Sequence, residues 1–222
     1  MSQENPLRID LVSEVSAIVP GQPFYVGLHL EHQPGDHSYW KCPGIVGVPT
    51  GIEWQLPAGF EAGPIEWPEP QQVHMYQIKA QGYEGEVILP IRIRPPKSLT
   101  PGDKITLKGR ASWMCCGRTC NPGLKDLSLE LPVSNTTLPN EKWRAKFEAA
   151  HAAVPRKLEG WKQEATRVND EVTLRLTAVD AAAARRADEI KDMIFFTDDG
   201  LINADKSQII SHPSPGVLTL RL

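Results

Sequence analysis

Four cysteines occur in the 222 residues, and three of them fall within six positions of the segment Met114-Cys115-Cys116-Gly117-Arg118-Thr119-Cys120. Such clustering is a poor way to staple a fold. Closing a loop of about five residues removes little chain entropy, compared with roughly 3 kcal/mol for a 15-residue loop. Trp113 to Cys116 ends one strand, Leu127 to Val133 forms the next, and Gly117-Arg118-Thr119 makes a three-residue connection. Residues flanking such a turn bring their Cα atoms within the roughly 4.4–6.8 Å that a disulfide needs. The favoured pair is therefore Cys116–Cys120, whereas a vicinal Cys115–Cys116 ring would be strained. In a regular strand Cys115 points to the face opposite Cys116. Spacing leaves two roles open for the pair: thiol–disulfide exchange, or an inert bridge on a hairpin.

Reactivity depends on the thiolate. Arg118 lies inside the loop, where it either lowers a neighbouring thiol's pKa or points into solvent. Cys115 and Cys42 are expected to be ordinary buried thiols. Pro122 fixes φ and is expected to keep the backbone after Cys120 out of regular pairing. A rival chemistry is soft-metal binding, because Met114, Cys115, Cys116 and Cys120 offer thioether and thiolate ligands suited to Cu(I). Zinc would usually want four ligands, and Cys42 is distant in sequence. His29, His32, His37, His74, His151 and His212 form no HxxxH pair. No metal site and no cofactor is assigned at this level. A third reading is a non-catalytic binding sandwich with a structural disulfide. In it Trp40, Trp54, Trp67 and Trp113 would form a recognition patch, although core packing is the commoner role of Trp in strands.

The elements that must position the cysteines are mostly strands. Residues 7–12, 24–30, 51–56, 85–94, 104–113 and 127–133 are β-rich or alternating, and are separated by Pro- and Gly-bearing turns. Several short strands with such spacing predict a sandwich. The 20 prolines, concentrated in the first 140 residues, suit strand ends and loops and obstruct helices. The pattern changes near Ser134. Asn140 is placed to cap a helix over 141–153, in which Trp143, Phe147 and Ala150 recur at helical spacing. Strands then return at 171–177, 194–196 and 216–222, with a short helix over 181–193. The expected organisation is a mainly β chain. It has an immunoglobulin-like sandwich over 1–135, a linker with a helix over 136–158, and a smaller β-rich unit over 159–222, expected to be cut from a longer parent since its last strand meets the chain end.

Hydrophobic content of 41% and charged content of 23% are ordinary for a globular protein. A formal net charge of −3 with scattered basic residues gives no reason to expect nucleic acid as a partner. No apolar run reaches membrane-spanning length. Met1 to Pro6 lacks the basic and apolar regions of a signal peptide, which suits a cytosolic protein or one whose leader lies outside these residues. No GxSxG elbow, phosphate loop or HExxH motif is present. Asp198-Asp199-Gly200 and Asn203-Ala204-Asp205 resemble turns and do not meet the calcium-loop pattern.

Ordered segments across residues 7–135 carry a resemblance. They are His37-Ser38-Tyr39-Trp40-Lys41-Cys42-Pro43-Gly44, Gly47 to Trp54, Ile65-Glu66-Trp67-Pro68, Gly82 to Val87, Trp113 to Pro122, and Leu127 to Val133. Together they resemble the N-terminal domain of DsbD- and ScsB-type thiol:disulfide interchange proteins. The resemblance implies an immunoglobulin-like domain in the periplasm of a bacterium, with the redox pair on Cys116 and Cys120. It further implies electron donors that are membrane-embedded or thioredoxin-like, and acceptors that are periplasmic disulfide-containing proteins. The expected assignment is one component of a protein-disulfide reductase system, not itself membrane-spanning. A loop bearing an aromatic residue caps the pair in the best-known members, and the corresponding stretch, Gln81 to Gly85, makes Tyr83 the expected cap. Cys115, Arg118 and Tyr83 are thus the expected modulators. Three departures stand out. Only three residues separate the pair, Cys115 replaces a usual small apolar residue, and Cys42 replaces a usual asparagine. By the hairpin geometry Cys120, nearer the turn, is the expected attacking cysteine.

Overall fold

The computed structural model describes residues 7–203 and 205–222. The reading of Met1 to Pro6, and Ala204 within its turn, lie outside the described residues. The chain divides into two compact units, Met1–Pro155 and Arg156–Leu222.

Two antiparallel sheets build the first unit. The first sheet has the order β1-β2-β8-β5, from β1 (Leu7–Ser13), β2 (Phe24–His32), β5 (Glu61–Ile65) and β8 (Glu86–Arg94). The second sheet has the order β10-β9-β3-β7-β6, from β3 (His37–Tyr39), β6 (Gln71–Met75), β7 (Ile78–Glu84), β9 (Lys104–Cys116) and β10 (Cys120–Pro132). Strand β4 (Gly51–Gln55) pairs with the middle of β9. This is the immunoglobulin-like sandwich the sequence predicts. Its core follows the period of two that a half-buried strand imposes. Leu28 and Leu30, Leu89, Ile91 and Ile93, and Leu107, Ala111 and Trp113 are all buried. Residues Lys108 and Arg110, between those on β9, are exposed.

Strands β3, β5, β6 and β7 were not legible in the residue pattern. Gln71 to Met75 is polar, and Glu61 to Ile65 contains Gly63 and Pro64, both poor strand formers. Strand β10 starts seven residues earlier than the alternation suggests, and Pro122 is within it, opposite Met114. The expectation that Pro122 interrupts pairing is therefore corrected. β10 is an edge strand, where a residue without an N–H costs no ladder bond if it faces outward.

Helix α1 (Arg144–Ala153) packs on the first unit through Phe147 and Ala150, against Val12 and Ile88. Asn140 does not cap it with its side chain. Trp143 holds the cap position without a side-chain bond, and the Asn140 carbonyl accepts from the N–H groups of Trp143 and Arg144.

The second unit is one sheet, β11-β12-β14-β13, from β11 (Trp161–Val168), β12 (Glu171–Ala178), β13 (Ile209–Ser214) and β14 (Val217–Arg221). Helix α2 (Ala181–Glu189) buries Ala183 and Ala187, the latter in a cluster with Leu176 and Leu218. Asp180 caps it, its carboxylate accepting from the Ala183 N–H at 2.7 Å. The helix stops short of the predicted Met193. Ile194 to Phe196 is not a strand either. The main-chain N–H and C=O of Phe195 bond instead to the side-chain amide of Gln208, at 2.7 and 2.8 Å.

Candidate functional site

The long hairpin of β9 and β10 positions the cysteines. Its register sets Cys116 opposite Cys120 as the last pair before the turn, with Cα atoms 4.1 Å apart. The two sulfurs form a disulfide, the pair expected from the spacing. Gly117 closes the turn, its N–H donating to the Thr119 carbonyl at 3.0 Å. A Cβ there would come within 1.9 Å of the Asp36 carboxylate and 3.0 Å of the Gly35 carbonyl, so any larger residue requires Asp36 to move. Asp36 thus packs under the turn, just before His37, which pairs with Cys116 in the ladder.

The two cysteines are unlike. Cys116 is fully buried, whereas Cys120 is exposed. Cys116 belongs to a cluster with Tyr39, Val73 and Ala80, against which Val46, Met75 and Met114 pack. The cause is local. Even-numbered positions of β9 turn away from the sandwich core, and at its end Cys116 packs with side chains of β3, β6 and β7 of the same sheet and with Val46 of the following loop. Gly47 lets this loop lie against Tyr39; it has φ +95°, and a Cβ would lie 2.3 Å from the ring.

The tip of the β6–β7 hairpin reaches the disulfide. The Met75 sulfur lies 3.5 Å from the Cys120 sulfur. Tyr76 follows at φ 57°, a left-handed conformation unusual for a residue other than glycine. Its hydroxyl donates to the Arg118 carbonyl at 3.1 Å. Behind Met75, the Tyr39 hydroxyl donates to the thioether at 3.7 Å and lies 3.2 Å from His37 Nε2. Burial lowers the pKa of His37 and raises that of Tyr39, so both are neutral near pH 7.

Tyr83 does not reach the pair. It is 3% exposed on β7, its hydroxyl donates to the Pro68 carbonyl at 2.7 Å, and burial raises its pKa far above the usual tyrosine range. Tyr76 is the aromatic residue bonded to the cysteine turn, and this corrects the cap expected at Tyr83. The polar tip Met75-Tyr76-Gln77 carries no strand signal, but the adjacent thioether and aromatic ring were the available clue. Arg118 has an exposed side chain and contributes its carbonyl to the Tyr76 contact. Cys115 continues the inward stripe of Leu107, Ala111 and Trp113 and is fully buried. Burial, with the Asp36 carboxylate adding a smaller effect, pushes its thiol up to about 12. Cys42 is a free, half-buried thiol. Among the described residues no cluster of three or more His, Cys, Asp or Glu is placed to hold a metal.

The antiparallel sandwich thus presents a two-cysteine disulfide at the end of one hairpin, with Cys116 buried, Cys120 exposed and the tip of the β6–β7 hairpin against the exposed sulfur. The family model for the N-terminal region of the thiol:disulfide interchange protein DsbD matches residues 4–132, more than half of the chain. The chain belongs to this family. Among solved structures it is similar to the N-terminal periplasmic domain of ScsB from Proteus mirabilis, with 18% identity and a TM-score of 0.60. That likeness covers 100% of this chain and 81% of the other, so both units have counterparts in it. No curated protein matches in sequence. No helix among the described residues is long and apolar enough to cross a membrane.

Proposed function

We propose that this chain is a periplasmic electron relay that works by thiol–disulfide exchange through Cys116 and Cys120. The observation that carries the reading is the asymmetry of the pair. A partner's thiolate has access to the exposed Cys120, whereas Cys116 is closed off in its cluster. Exchange proceeds through attack on one sulfur and departure of the other. The partner thiolate bonds to Cys120 Sγ, the Cys116–Cys120 bond breaks, and its electron pair leaves on Cys116, which takes up a proton. The partner's second thiol then resolves the mixed disulfide and leaves both cysteines of this chain reduced. The reverse sequence, opened by Cys120, reduces an acceptor disulfide.

Membership of the family and the periplasmic placement of the ScsB domain support the compartment. A thioredoxin-like or membrane-embedded dithiol is the donor class, and disulfide-bearing periplasmic proteins are the acceptors. The sandwich is the redox domain, and the second unit is a separate smaller β-rich domain. Replacing Cys116 or Cys120 by Ser in the full chain is expected to abolish dithiol transfer to a thioredoxin-fold acceptor, and Cys115→Ala to leave it intact. Unchanged transfer in both serine variants overturns the proposal.

A further inference from the structure

Three sulfurs converge at the mouth of the site, and the redox reading uses only two. Met75 comes from a different hairpin, yet its thioether sits 3.5 Å from Cys120 Sγ. Its orientation is held from behind, since the Tyr39 hydroxyl donates to the same sulfur at 3.7 Å and is itself 3.2 Å from His37 Nε2. The thioether thus has the Tyr39 hydroxyl and Cys120 Sγ as neighbours. Met114, two residues before Cys116 on the same strand face, packs on the same cluster. Cys115 belongs to the opposite, inward face and is fully buried there, so it is not part of this set.

We propose that the reduced protein binds one Cu(I) ion between the Cys116 and Cys120 thiolates and the Met75 thioether. Thiolate and thioether ligands select soft monovalent copper over harder cations. The absence of a fourth convergent His, Cys or carboxylate among the described residues disfavours a closed tetrahedral zinc site. Binding is not a redox step. The two thiols release two protons, two Cu–S bonds and one thioether bond form, and copper stays in the +1 state. The disulfide form has no thiolates and does not bind. Copper occupancy and electron relay therefore exclude each other, because the same two sulfurs serve both. Tyr39 acts as a positioning residue for the thioether, the part a hydrogen-bonding neighbour plays behind a metal ligand.

The proposal rests on the Cys116–Cys120 pair being reducible, and the test separates the two claims. The full chain is first reduced, freed of reductant under anaerobic conditions, and its thiols counted. Four thiols where the oxidised chain shows two establish the redox premise. A count that stays at two overturns both claims. The reduced chain is then titrated with Cu(I) held by the chromophoric competitor bicinchoninate. The expected result is one Cu(I) withdrawn per chain, none by the oxidised chain, and none by Cys116→Ser or Cys120→Ser. Met75→Leu is expected to weaken competition by at least about tenfold, since loss of a mere outer-shell partner already costs 10–100-fold. The thiol count of the reduced variant is taken alongside, so that a lost copper ligand is distinguished from an unreduced pair. Wild-type affinity in Met75→Leu, or loss of affinity on Cys115→Ala, overturns the assigned ligand set. Complete retention of Cu(I) by the competitor overturns the site while leaving the relay intact.

Discussion

Removing the Tyr76 hydroxyl should speed reduction of the disulfide by a small thiol. The bond from Tyr76 to the Arg118 carbonyl fastens the tip of one hairpin to the turn of the other, and Met75 on that tip stands against Cys120 Sγ. An attacking thiolate needs a clear approach to the sulfur; Cys120 is already exposed, and lifting the tip also clears the side of the sulfur that Met75 occupies. Tyr76 is 78% exposed, and a hydrogen bond in such a setting falls at the lower end of the usual net range, about 0.5–1 kcal/mol. The lifted population, and with it the second-order rate constant for reduction by dithiothreitol, should rise about two- to fivefold in Tyr76→Phe. Met75→Ala should raise it further, since it clears the sulfur itself. The assay is quenched alkylation of the released thiols against time at fixed pH, with the native fold checked by circular dichroism. Tyr83→Phe is the control. It removes a buried donor from the Pro68 carbonyl without touching the tip, so its rate should match wild type. A wild-type rate in Tyr76→Phe together with an accelerated Tyr83→Phe would refute the assignment of the cap to Tyr76.

Tyr83→Phe should instead lower stability by about 1–3 kcal/mol, the cost of a buried acceptor left unsatisfied, as read from chemical denaturation. Cys115 should resist alkylation in the native chain at pH 8, whereas Cys42 should react. Because burial keeps the folded Cys115 thiol protonated up to about 12, the folded state binds more protons than the unfolded one above the ordinary thiol range. Stability should therefore fall as pH rises from about 9 towards 12, and Cys115→Ala should shallow that decline. Phe147→Ala should destabilise the first unit by about 3–5 kcal/mol, since the ring is fully buried where α1 meets the sheet. Gly117→Ala should shift the redox potential and lower stability, because a Cβ meets the Asp36 carboxylate at 1.9 Å.

The sandwich and its bridge were legible because both are written in short-range pattern. Alternation marks β1, β8 and β9, and three residues between cysteines at the end of a strand suffice to pair them. What failed has a common physical origin. Gln71 to Met75 and Ile78 to Glu84 form a hairpin without apolar alternation, and their buried Val73 and Ala80 pack in the cluster around Cys116. Their strand character comes from pairing, β7 with β3 through Tyr39 and Gly82, and β6 with β7. Met75 and Tyr76 were therefore missed, although they are the residues that meet the disulfide. The family resemblance places the cap at Tyr83. The structure turns its ring inward, because a strand residue one register step away faces the other side. Pro122 misled for the opposite reason. The rule that proline interrupts a ladder holds for central strands, and β10 is an edge.

The same alternation accounts for the third thiol, which the family resemblance leaves unexplained. Two adjacent cysteines on one strand must face opposite sides. Cys115 therefore joins the row of Leu107, Ala111 and Trp113 and behaves as a small apolar residue in the core. Cys116, one step further, emerges on the other face, where it packs with Tyr39, Val73 and Ala80. A free thiol on the residue next to a redox disulfide would scramble the bridge if it could attack. Here it is barred twice, by direction and by a proton it does not give up at neutral pH. Inserting one residue between Trp113 and Cys115 would exchange the two environments. Cys115 would then stand under Met75 and Cys116 in the core, and the expected outcome is a mixture of Cys115–Cys120 and Cys116–Cys120 bridges by peptide mapping. Retention of Cys116–Cys120 alone in that insertion variant would show that the turn, and not the strand face, selects the pair.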